Sequence, residues 1–204
     1  MIEIPRFYGI VDSAYSSGIG AFVDFAAELV AGGCRLLQYR NKNENARVMI
    51  EQARALKLRF GSPVRLIMND RADLCLAADF DGVHVGQEDL LPESVRQIIG
   101  SERWLGVSTH NPEQLREADL TSADYVAIGP VFATSSKENP DPIVGLEGVR
   151  RARELTRKPL VAIGGITRGN AASVIEAGAD SVAVISDLLR EPRKSAEVFL
   201  RILR

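Results

Sequence analysis

The stretch LVAIGGITRGNAASVIEAGADSVAVIS, residues 160–186, carries the reading of the fold. It opens on LVAI and closes on VAVI, two runs that are apolar at every position. A strand with one wet face alternates apolar and polar residues. A strand without alternation is buried on both faces, which is the habit of parallel sheets. Between the runs lies NAASVIEAG (170–178), a helical pattern. Two parallel strands need a crossover of this kind, because a tight turn cannot return the chain to the starting edge.

The same unit recurs along the chain. FYGIVD (7–12), RLLQYR (35–40), RLIMND (65–70), GVHVG (82–86), WLGVST (104–109) and YVAIGP (125–130) precede the two strands just named. Helical patterns separate them. IGAFVDFAAELVAGG sets Phe22, Phe25, Ala26 and Leu29 on one face and stops at a glycine pair. PESVRQIIG opens on proline and ends on Gly100. THNPEQLREA offers Asn111 as cap, Pro112 as first helical residue and Gln114 three after the cap. GLEGVRRARELT and KSAEVFLRIL follow later strands. Strand and helix thus alternate to the end, with no linker between them. Residues 1–204 are expected to form a single α/β domain, a (β/α)8 TIM barrel, with a doubly wound open sheet as the alternative.

Composition narrows the function. Hydrophobic content of 46% and charged content of 25% fit a globular chain rather than a disordered one. A net charge of −2 leaves no excess of cations to neutralise a phosphate backbone, so a nucleic-acid partner is not expected. Cys34 and Cys75 come without a CxxC or Cys/His pattern. They read as packing residues, not as zinc ligands or a disulfide. No apolar run approaches the ~18 residues of a membrane span, and the N-terminus lacks a signal-peptide layout. The expectation is a cytoplasmic enzyme.

A barrel places its chemistry at the C-terminal ends of the strands. Gln38, Arg40 and Lys42 follow strand two, Asn69 and Asp70 strand three, Gln87 to Asp89 strand four, and Ser108 to His110 strand five. Thr134, Ser136 and Lys137 follow strand six, Gly164 and Gly165 strand seven, and Ile185 and Ser186 strand eight. Arg40, Lys42 and Lys137, with the hydroxyls of Ser108, Thr134 and Ser136, suit a phosphate or diphosphate. Asp70 and Asp89 are hard oxygen donors suited to Mg²⁺ beside such a group. The glycine pair and Ile185–Ser186 resemble the phosphate cradle that many barrels build after strands seven and eight.

Each residue also has a plainer role open to it. Asn69–Asp70 could cap the helix RADLCLAA, and Asp89 could close a turn. Arg40 and Lys42 could be a solvated strand end, and Gly164–Gly165 a tight-packing turn. His84, between Val83 and Val85, reads as a satisfied core histidine rather than a base, and His110 as a loop residue before the Asn111 cap. The loop after strand six is long for so compact a chain, which marks it as a flap that closes over substrate.

The motifs QYRNK, IMNDRADLCLAADFDGVHVGQEDL, GVSTHNPEQ, ADYVAIGPVFATSSK and VAIGGI together resemble the thiamin phosphate synthase family, nearly end to end. The resemblance implies a barrel enzyme, a transferase, that joins 4-amino-2-methyl-5-hydroxymethylpyrimidine diphosphate to 4-methyl-5-hydroxyethylthiazole phosphate with Mg²⁺. It implies that Gln38, Arg40, Lys42 and Asn69 hold the pyrimidine diphosphate and that Asp70 and Asp89 bind Mg²⁺. Ser108 and Lys137 would act on the diphosphate side. Thr134, Ser136, Gly165 and the backbone at Ile185–Ser186 would hold the thiazole phosphate. The implied chemistry is dissociative: diphosphate leaves, and the thiazole nitrogen attacks a pyrimidine-methyl cation. A homodimer is implied only by the habit of relatives. Two departures stand out. Ser136 replaces a threonine of the flap motif, and Asn41 sits where an acidic residue is common, which leaves the diphosphate pocket slightly more positive. The rival readings are a thiazole tautomerase of the same family, using a histidine such as His110, and a non-catalytic regulator that binds thiamin phosphates. Retention of Arg40, Lys42, Asp70, Asp89 and Lys137 together favours the synthase.

Overall fold

The computed structural model describes residues 2–16, 18–42, 45–134 and 141–204. Eight strands run parallel: β1 (Phe7–Asp12), β2 (Leu36–Arg40), β3 (Arg65–Asn69), β4 (Gly82–Val85), β5 (Trp104–Thr109), β6 (Tyr125–Ile128), β7 (Leu160–Ile163) and β8 (Ser181–Val184). They pair in sequence order, and β1 pairs with β8 through Phe7↔Val182, Tyr8↔Ala183 and Gly9↔Val184. That last pairing closes the barrel and excludes the open sheet. One helix follows each strand: α1 (Gly18–Ala31), α2 (Ala46–Phe60), α3 (Ala72–Ala77), α4 (Pro92–Ile99), α5 (Pro112–Asp119), α6 (Gly145–Leu155), α7 (Ala171–Glu176) and α8 (Pro192–Ile202).

The absence of alternation in the strands has its cause in two separate cores. Odd and even positions of each strand bury different surfaces. Phe7, Val11, Leu37, Tyr39, Leu66 and Met68 pack outward against the helices, in the larger core. Tyr8, Ile10, Leu36, Ile67, Tyr125, Ala127, Val161 and Ala183 fill the barrel interior. Both faces are dry, so both are apolar.

The capping signals of α5 and α4 hold. Asn111 caps α5 by accepting from the Gln114 amide at 2.9 Å, and the Gln114 side chain accepts from the His110 amide at 2.8 Å. Gly100 ends α4 with φ +75°, a conformation that favours glycine. α2 was not evident from the apolar pattern. Its buried face is Met49, Gln52, Ala53 and Leu56, and the polar Gln52 interrupts the apolar spacing. Gln52 is satisfied there, accepting from Tyr39 at 2.6 Å and Asn41 at 3.0 Å. α8 begins at Pro192, two residues before the segment KSAEVFLRIL. The plainer alternative for Asn69–Asp70, capping of α3, is not found: the cap position is Arg71, with no side-chain cap.

Candidate active site

The interior positions of the strands form columns that run up to the C-terminal mouth. Tyr8 and Ile10 lead to Asp12, Leu36 and Gln38 to Arg40, Ile67 to Asn69, and Gly106 to Ser108. The bottom of the interior is apolar and the top is polar. Above them lies one cavity of about 490 Å³, within the usual size of a small-molecule site. Its lining includes Gln38, Arg40, Lys42, Asn69, Asp70, Asp89, Ser108, Thr134, Gly165, Ile185 and Ser186, so every described member of the expected set reaches it. Ser136 and Lys137 lie outside the described residues.

One half of the mouth, over β2 to β4, holds the charges. Arg40 is bound to the buried Asp12 carboxylate, and Lys42 to Asp70. Asp12 also accepts from the Ala14 amide at 3.0 Å, so it is fixed and in turn fixes Arg40. Asp70 adopts φ 63°, in the left-handed region, which Asp tolerates better than most residues. Burial, and beside it the Asp89 carboxylate, raise Asp70 above its ordinary pKa against the pull of Lys42. A carboxyl raised by burial and by a second carboxylate beside it marks a place short of positive charge. The two are hard oxygen donors, the chemistry that suits Mg²⁺ shared with a substrate phosphate. Asp89 also closes a turn, accepting from the Gly86 amide at 2.7 Å, and it lines the cavity. Asn69 Nδ2 is buried with no hydrogen-bond partner among the described residues, in a residue that lines the cavity. A buried donor without an acceptor is costly, and a ligand oxygen or nitrogen would satisfy it.

The floor of the cavity is a hydrogen-bonded chain. Gln38 Nε2 donates to Tyr8 Oη at 2.9 Å, Tyr8 Oη lies 3.2 Å from Tyr125 Oη, and Tyr125 Oη lies 3.1 Å from His84 Nδ1. His84 Nε2 is 2.8 Å from Ser108 Oγ. Burial pushes the His84 pKa down to about 4, so the ring is neutral at pH 7. Burial raises both phenols, which keeps them protonated. His84 is therefore the satisfied core histidine expected, and it also touches a site residue. Gln87 adds a bond to the Ser108 carbonyl at 2.6 Å.

The other half is built over β7 and β8 from backbone turns, with Asp141 at the rim beyond β6. Gly164 and Gly165 have φ +98° and +63°. A Cβ on Gly165 would lie 2.4 Å from the Ala133 carbonyl, so the pair is both a special turn and a close packing against the base of the β6 loop. That base is tied to β7 by Val131 N to Ile163 O at 2.9 Å and Phe132 N to Gly164 O at 3.0 Å. Arg168 then links the two backbone turns: its Nε and its amide donate to Asp187 at 3.0 and 2.8 Å. His110, at the rim, meets the Gly129 carbonyl through Nδ1 at 2.6 Å, and its Nε2 lies 3.5 Å from Asp141.

Sequence reasoning passed over Asp12, Tyr8, Tyr125 and Arg168. Asp12 had a signal, since it ends its strand as Arg40 and Asn69 end theirs. The tyrosines had none, because an interior tyrosine reads as core. The expectation for Asn41 is corrected. It is buried on the outside of the barrel, donating to Gln52 and to Tyr39 Oη, and is not part of the cavity lining. It is one position out of phase with Arg40, so it cannot tune the pocket's charge directly.

A sequence model described as thiamine monophosphate synthase matches residues 7–188. A thiamine-phosphate synthase of Koribacter versatilis is 58% identical over 205 residues, covering 99% of this chain and 97% of the relative. One of Chloroflexus aurantiacus is 45% identical, covering 89% and 83%. The solved structure of a thiamine phosphate pyrophosphorylase from Pyrococcus furiosus superposes with a TM-score of 0.87 at 33% identity, covering 97% of this chain and 95% of that one.

Proposed function

The chain belongs to the thiamine monophosphate synthase family and has the transferase activity of a thiamine-phosphate synthase, and we propose that its cavity joins an aminopyrimidine diphosphate to a thiazole phosphate by a dissociative route. The observation that carries this is the division of one cavity into two halves. Cations and carboxylates gather over β2 to β4, and uncharged backbone turns over β7 and β8.

The diphosphate lies on the charged half. Arg40 offers its fork to phosphate oxygens, held in place by Asp12. Lys42, paired with Asp70 before substrate arrives, exchanges that carboxylate for phosphate. Asn69 Nδ2 donates a hydrogen bond to the same substrate. Ser108 donates to the diphosphate as negative charge builds on departure. Asp70 and Asp89 would hold Mg²⁺, which when bound would supply positive charge to the leaving group. The monophosphate lies on the other half, against Thr134, Gly165 and the backbone of Ile185 and Ser186. The two substrates are thereby held with thiazole nitrogen facing the pyrimidine carbon, and orientation replaces any need for a nucleophilic side chain. Ser136 and Lys137 follow strand six in the sequence and lie outside the described residues.

The test is direct. Purified protein given both substrates and Mg²⁺ should form thiamin phosphate and diphosphate, and EDTA should stop it. Absence of product with both substrates bound would overturn the reading. Asp70→Ala should abolish the Mg²⁺-dependent rate while leaving the fold intact by circular dichroism. An unchanged rate at limiting Mg²⁺ would remove Asp70 from the metal site.

A further inference from the structure

We infer that the floor chain from Gln38 through Tyr8, Tyr125 and His84 runs in one direction and makes Ser108 an obligate hydrogen-bond donor, with Tyr125 and His84 as positioning residues for the reaction. The inference deepens the diphosphate reading of the cavity and rests on it.

The argument is one of proton counting. Each tyrosine hydroxyl has one proton, and a neutral imidazole has one N–H and one bare nitrogen. A chain through such groups that leaves no buried hydroxyl proton unused has only two consistent directions. The amide nitrogen of Gln38 carries protons and no acceptor, so at 2.9 Å Tyr8 Oη must accept. Tyr8 then gives its own proton to Tyr125, and Tyr125 gives its proton to His84 Nδ1. The imidazole proton is left on Nε2, directed at Ser108 Oγ 2.8 Å away. Ser108 accepts there, and its hydroxyl proton is free for the cavity. Run backwards, the chain would commit that proton to His84 and turn two serine lone pairs toward an anion.

A second observation shows that the chain has space made for it. A Cβ on Gly106 would lie 2.1 Å from Tyr125 Cζ and 2.4 Å from His84 Nδ1. Only a glycine on β5 lets the phenol from β6 reach the imidazole from β4. The five members come from β1, β2, β4, β5 and β6, so the closed barrel itself brings them together. Bonds in series polarise one another, which strengthens the donor at the far end.

The chain has only two histidines, His84 and His110, so imidazole tautomers can be read by nitrogen-15 resonance on histidine-labelled protein at neutral pH. The His84 signals, assigned by their loss in His84→Gln, should show a protonated Nε2 and a bare Nδ1. A protonated Nδ1 with a bare Nε2, or a fast mixture of the two, would overturn the direction. Tyr125→Phe keeps the ring and removes the donor to Nδ1. It should lower kcat roughly tenfold with little change in either KM, because a donor to a leaving group acts mainly in the transition state. An unchanged kcat would overturn the positioning role. His84→Gln, which can still present an N–H to Ser108, should retain several-fold more kcat than His84→Leu, and equal losses would count against the donor argument. The resonance measurement needs no substrate. A reversed tautomer in an active enzyme therefore defeats this inference alone, whereas a wild type that makes no product defeats the diphosphate reading beneath it.

Discussion

Asp12 carries its weight at the scale of single residues. It is buried, it is held by the Ala14 amide, and its second oxygen takes the Arg40 guanidinium. Arg40 is thus aimed before substrate arrives, which reduces what binding must order. Asp12→Asn should lower kcat/KM for the diphosphate substrate by roughly tenfold, the value of a hydrogen bond to a charged group, and leave KM for the monophosphate substrate unmoved. A steady-state comparison varying each substrate in turn checks it, and equal effects on both substrates would refute it. Gly106→Ala tests packing instead. The added methyl meets two hydrogen-bonded rings, so about 1–3 kcal/mol of stability should be lost to overpacking, read as a lower urea midpoint with unchanged slope. Legibility differs among residues for one reason. Strand ends were readable because a barrel puts them at its mouth. Phase was not: Arg40 and Asn41 are neighbours in sequence, and one faces the cavity while the other faces α2. The tyrosine chain was hidden because its aromatic rings satisfy the core pattern and only their hydroxyls do the ordering.

Elements were readable where local chemistry agreed with burial. α5 carries its cap, its proline and its Gln114 in the sequence and makes the corresponding bonds. α2 hid because its buried stripe includes Gln52, whose amide is satisfied by Tyr39 and Asn41 across the helix–strand contact. A sequence pattern counts apolar residues, and a buried polar group with partners is invisible to it. The same holds for the loops after β7 and β8. Nothing in ITRGN or SDLL announces that Arg168 will grip Asp187, yet that grip sets one cavity-lining backbone turn against the other. Asn170 adds a bond to the Gly165 carbonyl at 3.1 Å. Asp187→Ala should loosen both turns and raise KM for the monophosphate substrate several-fold, with kcat at saturation changed less. A change confined to the diphosphate substrate would mean that the two turns do not hold the monophosphate.

The whole molecule shows a further consequence of having two dry layers. Both cysteines fall in the outer core, where burial pushes Cys34 up to about 11 and Cys75 up to about 12. In the unfolded chain both titrate near the ordinary thiol value of roughly 8.5. The folded pKa is the higher one, so the stabilisation is complete below the unfolded value and is lost as pH rises toward the folded one. Between about pH 9 and 11 the unfolded chain gives up two protons that the folded chain keeps. Stability must fall across that window, by about 1.4 kcal/mol per pH unit for each thiol. Unfolding in urea should therefore show a midpoint insensitive to these groups near pH 7 and steeply falling above pH 9. Cys75→Ala lowers the absolute stability through the cavity it leaves, but it should make the alkaline slope shallower than that of the unmutated chain. The slope isolates the thiol from the packing, because a cavity costs the same at every pH. Tyr8 and Tyr125, raised by the same burial, add to the fall from about pH 10 upward and do so equally in both proteins. An alkaline slope identical with and without Cys75 would mean that its thiol ionises as readily in the folded barrel as outside it.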